Sequence, residues 1–329
     1  MKYGKGCSNG LIKINTKCDR AVCSGVPTVA VLLSTYNGSK YIEEQLSSIV
    51  LQKSVDLTIW IRDDGSSDDT AGIAESFLQE HGARFNVVRG SNIGYRNSFD
   101  WLMANCCDAD YYAFSDQDDV WELDKLTRAI AEINRHEEDD VPVLYASAVR
   151  IVDENLEDIG FNGYKGFRYS IPSEFMRHRL SGHTMVWGRA MHKRYLENRN
   201  LSCWSHDQQM VLASLMGPGK LVLDSSSYVM HRRLRNSVTP GGAGLKKRIA
   251  HELKLMLNSD ENIGWAPLAG ELLRKGDIYS EIDSTFLQLA ASVNDSWPAR
   301  RKLMAWSYVS CGIPLADLEC RISLMLNRL

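Results

Sequence analysis

Acidic residues cluster in one short segment where they could hold a metal ion. Asp116 and Asp118 stand two positions apart, directly after the apolar run Tyr111–Ser115. Neighbouring carboxylates repel each other unless a cation or a partner neutralises them, and a hard divalent ion can do so while bridging to the oxygens of a diphosphate. Although an isolated Asp-x-Asp pair is common by chance, its position after an apolar run makes it informative. We therefore expect Mn²⁺ or Mg²⁺ at Asp116 and Asp118.

Two more polar segments follow apolar runs earlier in the chain, and they read Ser34-Thr-Tyr-Asn-Gly38 and Arg62-Asp-Asp-Gly-Ser-Ser-Asp-Asp-Thr70. A carboxylate at a strand tip, here Asp63 or Asp64, can accept hydrogen bonds from a pyrimidine base or from ribose hydroxyls. The next helix also needs caps, for which the available residues are Ser67, Asp68 and Asp69. Ligands of open α/β sheets bind outside the carboxyl ends of the strands. We therefore expect all three polar segments to converge at one edge.

A basic cluster stands near residue 231 in a chain whose net charge is only −3. His231 follows an apolar run and precedes Arg232, Arg233 and Arg235. Such a cluster is often only a solvated face. After a core strand, however, a histidine can complete a metal shell and arginines can hold a diphosphate, which is the interpretation we favour for His231, Arg232 and Arg233. Arg96 is a further candidate for contact with the diphosphate or the sugar.

The pair His206-Asp207 stands at the start of a segment with helical periodicity. Asp207 could simply cap that helix, or it could accept the proton of an acceptor hydroxyl as a general base. We favour the base, with His206 as the next candidate for that role.

The elements that must position these residues alternate between apolar β-branched runs and amphipathic helical segments. Strands are predicted at 28–33, 57–61, 85–88, 111–115 and 143–147, with helices between them. This alternation predicts an α/β fold with a doubly wound, mostly parallel, Rossmann-like sheet. Later in the chain we expect a strand at 183–187, a helix at 207–215, and a strand pair at 221–223 and 228–230.

The composition changes at both ends of this α/β region. Residues 1–26 are predicted to be a poorly ordered leader, and residues 27–244 to be the catalytic domain, with halves at 27–150 and 151–244. Residues 245–329 are predicted to be an α-helical appendage. Its basic and apolar segments, Leu245–Leu257 and Trp297–Trp306, could pack on the catalytic domain, form a homodimer, or attach peripherally to an anionic membrane.

Composition excludes several classes of function. With 44% hydrophobic and 24% charged residues the chain is typical of a soluble globular protein, and its charge of −3 argues against nucleic acid as a partner. Eight cysteines without a Cys-x-x-Cys spacing, and no secretory signal, favour a reduced cytoplasmic compartment. Cys7, Cys18 and Cys23 match no zinc module. No apolar run approaches the ~18 residues of a membrane span, so membrane contact would be peripheral, at the inner face of the plasma membrane.

Four of these segments, in this order, resemble the family 2 glycosyltransferases: S-T-Y-N-G, I-R-D-D-G-S-S-D-D-T, S-N-I-G-Y-R-N-S-F and F-S-D-Q-D-D-V-W. The resemblance implies a GT-A fold, with the nucleotide on the N-terminal half and the acceptor on the C-terminal half, and inversion at the anomeric carbon. Residue by residue, it matches Thr35, Tyr36 and Asn37 to the first nucleotide loop, Asp63 and Asp64 to the base and ribose contact, and Asp116 with Asp118 to the metal-diphosphate motif.

The second half looks like the branch of that family that includes rhamnosyltransferases. The segments that carry this resemblance are Leu180–Arg189, Ser205-His-Asp207 and Met230–Asn236. It implies dTDP-rhamnose as the donor and a cell-surface polysaccharide or its lipid-linked precursor as the acceptor. The branch usually has aromatic residues after the His-Asp pair, whereas Gln208 and Gln209 stand here. A nucleotidyltransferase that makes a nucleotide sugar is one alternative, although it would open with a Gly-rich loop. A non-catalytic binding protein on a transferase fold is another.

Overall fold

A computed structural model describes residues 25–136, 141–233, 264–276 and 280–328. Most of the predicted leader, including its three cysteines, and the basic segment Leu245–Leu257 lie outside the described residues, as does the predicted domain boundary near residue 244. Within the described ranges, no helix combines the length and the apolar character needed to cross a bilayer.

The first four strands form a parallel half-sheet whose strands all end at one edge. They are β1 (Thr28–Thr35), β2 (Asp56–Asp63), β3 (Arg84–Arg89) and β4 (Tyr111–Ser115). Their order is β3-β2-β1-β4, and every neighbouring pair is parallel. The register sets Thr35 opposite Asp63 and Leu33 opposite Ser115. The polar segments after β1, β2 and β4 are therefore neighbours, as predicted.

Alternating side chains of β1 point to two different layers of helices. Val29, Val31 and Leu33 pack in one core with α1 (Ile42–Val50) and α2 (Thr70–Glu80), whereas Ala30 and Leu32 pack in a second core with α3 (Tyr95–Asn105). Successive side chains of a strand point to opposite faces of the sheet, which explains this split. With helices covering both faces, the doubly wound architecture is confirmed.

The second half extends the sheet with strands of mixed direction. Its elements are β5 (Val120–Trp121), α4 (Lys125–His136), β6 (Val143–Val152), β7 (Asp158–Asn162), α5 (Ile171–Met176), a 3₁₀ turn (Gly182–Thr184), β8 (Met185–Gly188), α6 (Arg189–Glu197), α7 (His206–Leu215) and β9 (Lys220–Arg232). The complete order is β3-β2-β1-β4-β8-β6-β9-β5, with β7 beside β6. β8 pairs antiparallel with both β4 and β6, so it joins the two halves of the sheet.

Several predicted boundaries in this half were wrong. The segments 221–223 and 228–230, predicted as a strand pair, belong to one strand, β9. Both segments pair with β6, and the register between the two strands shifts around Ser147 and Ala148. The strand predicted from 183 begins only at Met185, after the 3₁₀ turn. Four short elements, β5, β7, α5 and α6, were not predicted, because each is too short or too polar to give a clear period.

The C-terminal region is helical, as predicted. Its described helices are α8 (Trp265–Lys275), α9 (Glu281–Ala291), α10 (Trp297–Ala305) and α11 (Pro314–Leu326). Trp265 and Phe286 pack edge-on against Phe175 of α5, in a core that also includes Leu212 of α7. The described part of this region therefore packs on α5 and α7.

Leu33 allows a direct test of the sheet core. Its side chain is fully buried in β1, so Leu33→Ala should lower the free energy of unfolding in urea by about 2–5 kcal/mol. Leu51→Ala is the matched control, because Leu51 is 56% exposed and its truncation should change that free energy by no more than about 0.5 kcal/mol. Equal losses in the two variants would contradict this placement of the core.

Candidate active site

The side chain of Gln117 ties the loop after β1 to the loop after β4. Its Oε1 accepts hydrogen bonds from Thr35 Oγ1 (2.6 Å) and from the Tyr36 amide (2.9 Å), and its Nε2 donates to the Tyr36 carbonyl (3.1 Å). A Cβ at Gly38 would lie 2.1 Å from Gln117 Oε1, so glycine is needed for this approach. Two of the predicted ligand loops are therefore held as one unit.

Asn37 joins the loop after β2 to the same unit. Its amide donates to Ser66 Oγ (2.9 Å), and its Oδ1 accepts a hydrogen bond from the Ser67 amide (2.8 Å). Its φ of 50° is in the left-handed region, which asparagine tolerates better than most residues. The backbone and side chain of Asn37 are thus committed to shaping the loops.

The neighbouring carboxylates Asp63 and Asp64 have different environments. Asp64 is ion-paired with Arg62 and accepts hydrogen bonds from the amides of Ile93 and Gly94, both at 2.9 Å. Asp64 therefore fixes the loop that leads into α3. Asp63 ends β2 opposite Thr35, and Ser66 donates to both of its carboxylate oxygens. The side chain of Asp63 is thus held within its own loop, whereas that of Asp64 bonds across to the residues before α3.

Four side chains after β4, at the 3₁₀ turn and at the end of β9 form one cluster of metal-ligand type. One potential ligand atom from each of Asp116, Asp119, His183 and His231 lies within 4.8 Å of all the others. His231 Nδ1 is 2.8 Å from Asp119 Oδ1, and His183 Nδ1 is 3.1 Å from Asp116 Oδ2. The two imidazole rings stack at 4.6 Å between centroids. The structure thus brings His231 to the acidic loop, as predicted.

Asp119 and His183 are members of this cluster that the sequence did not single out. Asp119 directly follows Asp118, but the Asp-x-Asp spacing directed the metal prediction to Asp116 and Asp118 alone. His183 was assigned to a strand, although a histidine between Gly182 and the apolar run of β8 was an available signal. Asp118 lies outside the cluster of four.

The electrostatics of the acidic loop favour a bound cation. Burial, together with the charges of Asp119 and Asp116, raises the pKa of Asp118 to about 7. Burial acts to lower the pKa of His183, but the same two carboxylates outweigh it and raise that pKa to about 9. Among the described residues, Asp119 Oδ2 and His183 Nε2 are buried without a hydrogen-bond partner. Carboxylate oxygens and imidazole nitrogens of this kind fit a divalent transition-metal ion.

The predicted diphosphate-binding arginines make contacts within the protein. Arg232 is buried over the Tyr41 ring and donates hydrogen bonds to the Asp118 carbonyl (3.1 Å) and to Glu44 (2.5 Å). Its guanidinium would have to leave Glu44 to reach a diphosphate. The amide of Arg233 donates to the Val152 carbonyl, and Arg96 donates to the Leu201 carbonyl. Arg96 thus ties α3 to the acceptor half.

Asp207 is not the cap of its helix. Ser205 is the N-cap of α7 and accepts a hydrogen bond from the Gln208 amide, and Asp207 lies in the first turn. Asp207 Oδ1 accepts hydrogen bonds from Ser205 Oγ and the Gln208 amide, whereas Oδ2 accepts one from the Gly182 amide at 3.2 Å. The side chain remains 17% exposed. His206, the second candidate base, is buried and stacked on Phe99 at 3.9 Å.

One dipeptide connects Asp207 to the metal-type cluster. Gly182 donates its amide to Asp207, and the next residue, His183, belongs to the cluster. A Cβ at Gly182 would lie 2.6 Å from His206 Nε2, so only glycine allows this approach to α7. Gly182 and His183 therefore place Asp207 next to the metal-type cluster.

Comparisons with known proteins identify the family of the chain. The model of glycosyl transferase family 2 matches residues 30–198, just over half of the chain. The chain belongs to this family. Over 102 residues it is 42% identical to the dTDP-rhamnosyl transferase RfbG of Shigella flexneri, a match that covers 30% of this chain and 35% of that protein. The matched segment therefore spans about a third of that relative.

Solved structures give the fold of this family 2 glycosyltransferase. S. aureus TarS 1-349, in complex with UDP-GlcNAc, is similar with a TM-score of 0.52 and 16% identity over 91% of both chains. GalNAc-T7, solved with UDP, GalNAc and Mn²⁺, is similar with a TM-score of 0.55 and 11% identity, over 83% of this chain and 53% of that one. At these identities the likeness establishes a GT-A fold with a helical C-terminal region.

The acidic loop predicts how this glycosyltransferase binds nucleotide. We expect binding of a nucleoside diphosphate to require Mn²⁺, because the carboxylates of the loop would otherwise repel the diphosphate. Asp118→Asn should weaken Mn²⁺-dependent binding of dTDP strongly, measured by calorimetric titration with and without chelator. Asp68→Asn is the control, because Asp68 is an exposed carboxylate outside the acidic loop, and an asparagine can still accept hydrogen bonds from the amides of Ser39 and Thr70. Equal dTDP affinity with and without chelator would contradict the metal assignment.

Proposed function

We propose that this chain is an inverting, metal-dependent glycosyltransferase that moves a sugar from a nucleoside-diphosphate donor to an acceptor hydroxyl. The observation that carries the proposal is the dipeptide Gly182-His183, which joins Asp207 to the metal-type cluster. Inversion by direct displacement needs one group to accept the proton of the acceptor and another to stabilise the leaving diphosphate. Asp207 and the cluster offer these two groups.

On the donor side, the nucleotide would lie against the three joined loops. Asp63 would accept hydrogen bonds from the base or ribose, and Thr35, Tyr36 and Asn37 would shape the pocket around it. We infer dTDP-rhamnose as the first donor to test, supported by the identity to a dTDP-rhamnosyl transferase. A thermal-shift screen of nucleotide sugars with Mn²⁺ tests the donor, because a ligand that binds only the folded state raises its melting temperature.

For the metal, we propose Asp116, Asp118 and His231 as ligands, with Asp119 orienting His231 through its Nδ1. His183 offers a further imidazole next to them. We propose Mn²⁺ rather than Mg²⁺, because Mg²⁺ strongly prefers oxygen ligands and this cluster includes two imidazoles. When bound, the ion would neutralise the charge that develops on the departing diphosphate.

On the acceptor side, we propose that Asp207 accepts the hydroxyl proton through Oδ2. Among the described residues, Oδ1 accepts hydrogen bonds from two donors, and Oδ2 accepts only the one from Gly182. Burial acts to raise the pKa of Asp207, but His178 and neighbouring hydrogen bonds outweigh it and hold that pKa well below its usual range. The carboxylate is therefore ionised, as a base must be before it accepts a proton.

Two exposed aromatic rings near Asp207 offer a surface for the acceptor. Tyr95 is 54% exposed and Trp204 is 57% exposed, and the Tyr95 hydroxyl lies 3.5 Å from the Trp204 carbonyl. Large aromatic side chains that combine an apolar ring with a polar tip are typical of binding surfaces. We propose that a sugar ring of a glycan or lipid-linked acceptor stacks on them.

The rivals are a nucleotidyltransferase and a non-catalytic binding protein. Family membership and a loop after β1 that is not Gly-rich disfavour the first. The second would not need an ionised Asp207 beside the metal-type cluster, since binding alone does not require a group that accepts a proton. Donor hydrolysis measured without acceptor separates an enzyme from a binding protein.

Asp207→Asn should leave Mn²⁺-dependent dTDP binding nearly intact and lower sugar transfer by ~10² to 10⁴-fold, the usual contribution of a positioned general base. Asparagine is almost isosteric and can still accept hydrogen bonds from Gly182 and Gln208, so the fold should be retained. Steady-state transfer, dTDP binding and melting temperature are measured on the same preparation.

Ser205→Ala is the matched control for this variant. It removes the N-cap of α7, at a cost of ~1 kcal/mol of stability, and one hydrogen bond to Asp207 Oδ1, while keeping the carboxylate of Asp207 and its Oδ2 contact with Gly182. If Asp207→Asn retains near-wild-type turnover, Asp207 is not the base.

Trp204→Ala should raise the KM for the acceptor about tenfold or more, because a sugar ring that packs on the indole buries apolar surface, which is worth about 25 cal/mol per Å². The KM for the donor should change little. Trp297→Ala is the control, since Trp297 is also exposed, at 48%, but lies on α10. Similar acceptor KM values for the Trp204→Ala and Trp297→Ala variants would contradict the proposed acceptor surface.

Proposals about larger partners rest on the C-terminal helices. Exposed apolar residues recur along α11 at three- and four-residue spacing, at Leu315, Leu318, Ile322 and Met325. Such a stripe suits either a homodimer or peripheral contact with a membrane that carries a lipid-linked acceptor. Sedimentation with anionic liposomes, and its loss when residues 245–329 are deleted, tests the membrane proposal. A wild-type protein that remains in the supernatant at low salt contradicts it.

A further inference from the structure

A buried carboxylate and a histidine lie directly behind Asp207. Glu174 is buried in α5, and its Oε2 is 2.7 Å from His178 Nδ1. The opposite nitrogen of that ring, Nε2, is 3.4 Å from Asp207 Oδ1. The three side chains therefore form a line, carboxylate to imidazole to carboxylate, which ends at the proposed base.

Gln208 holds this line in place from α7. Its Nε2 donates a hydrogen bond to the Glu174 carbonyl (3.0 Å), and its Oε1 accepts one from the Trp204 amide (2.8 Å). Gln208 is one of the two residues at which the chain departs from the aromatic pattern of its branch. Here the glutamine fixes α5 to α7 at the positions of Glu174 and Asp207.

We propose that His178, anchored by Glu174, is a positioning residue that holds the Asp207 carboxylate with Oδ1 turned inward and Oδ2 turned toward the acceptor. This inference rests on the proposed role of Asp207 as base. His178 touches Oδ1, the oxygen that also accepts hydrogen bonds from Ser205 and Gln208, so the contact leaves Oδ2 for the proton. A carboxylate fixed in this way loses little orientational freedom when the acceptor binds.

A purely structural role explains this arrangement less well. Glu174 Oε1 is buried without a hydrogen-bond partner among the described residues, which costs free energy. Apolar residues of similar volume commonly serve a core as well as a buried ion pair does, or better. Apolar residues could not orient the partly exposed carboxylate of Asp207, whereas His178 and Glu174 can.

The charge of His178 depends on the groups that face it. These are Glu174 from α5 and Asp207 and His206 from α7, while the neighbouring Arg177 pairs with Glu319 of α11. Burial acts to lower the pKa of His178, but the carboxylates of Asp207 and Glu174 outweigh it and raise the pKa to about 10. His178 is therefore an imidazolium at neutral pH, bonded to Glu174 and facing Asp207.

The first arm of the test follows the His178 ring by ¹⁵N NMR of the full chain across pH and needs no turnover. We expect the ring to stay doubly protonated until about pH 10. Glu174→Gln and Asp207→Asn should each lower its titration midpoint by about 1 unit or more, because each removes a neighbouring opposite charge. A midpoint near the ordinary value of about 6.5 in the wild type would overturn the inference.

The second arm measures hydrolysis and transfer of dTDP-rhamnose with Mn²⁺. His178→Asn and Glu174→Gln should lower kcat about 10 to 100-fold, the usual effect of removing a partner that orients an active-site group, with the donor KM unchanged. For His178→Asn, the ratio of variant to wild-type kcat should be lower at pH 5 than at pH 7. Without the imidazolium of His178, Asp207 is protonated more readily as the pH falls. His178→Gln, which can still donate to a carboxylate, should recover part of kcat.

His192→Asn is the matched control, because His192 is a partly buried ring stacked on Tyr112 at 3.9 Å, away from Asp207. It should leave kcat and its pH dependence unchanged at equal melting temperature. If Asp207→Asn is inactive but the His178 and Glu174 variants match this control, the positioning role is wrong and the proposed function stands. If Asp207→Asn is itself near wild type, the proposed base is wrong, and the positioning role is overturned with it.

Discussion

The crowding of three carboxylates within four residues is the constraint on which the rest of the structure depends. Asp116, Asp118 and Asp119 follow β4 at the edge of the sheet, where burial and the charges of its two neighbours raise the pKa of Asp118 to about 7. Positive and hydrogen-bonding groups from other elements surround them. These groups are Lys125 at the start of α4, His183 at the 3₁₀ turn, and His231 and Arg232 at the end of β9.

This constraint accounts for the topology of the second half. β9 pairs with β6 along nearly its whole length, so its end carries His231 and Arg232 to the acidic loop. β8 pairs antiparallel to β4, so its beginning lies next to the carboxyl end of β4, and His183 arrives at the same edge. The two halves therefore meet at this charged site as well as along β8.

Local signals in the sequence were sufficient for the donor half. Apolar β-branched runs such as Thr28–Leu33 predicted the parallel strands, and the rule that ligands bind at strand ends predicted the convergence of three loops. The distinction between Asp63 and Asp64 could not be predicted, because it depends on Arg62 and on the amides of Ile93 and Gly94. Contacts between residues about thirty positions apart leave no local pattern in the sequence.

The acceptor half was harder to predict for the same reason. The start of α7 at His206-Asp207 was predicted nearly to the residue, but the capping alternative for Asp207 was wrong because Ser205 supplies the cap. His183 and Glu174 escaped notice, since a single histidine or glutamate in a short element has no period and gains its role only from long-range packing. The continuity of β9 likewise depends on its pairing with β6.

The central claim is that an acceptor hydroxyl bound at Asp207 displaces the diphosphate directly while the acidic loop holds that leaving group. The most direct test is the anomeric configuration of the transferred sugar, determined by NMR of the product that the wild-type chain forms from dTDP-rhamnose with Mn²⁺. A single displacement assisted by one base predicts a product whose configuration is inverted relative to the donor. A product that retains the donor configuration would contradict the account.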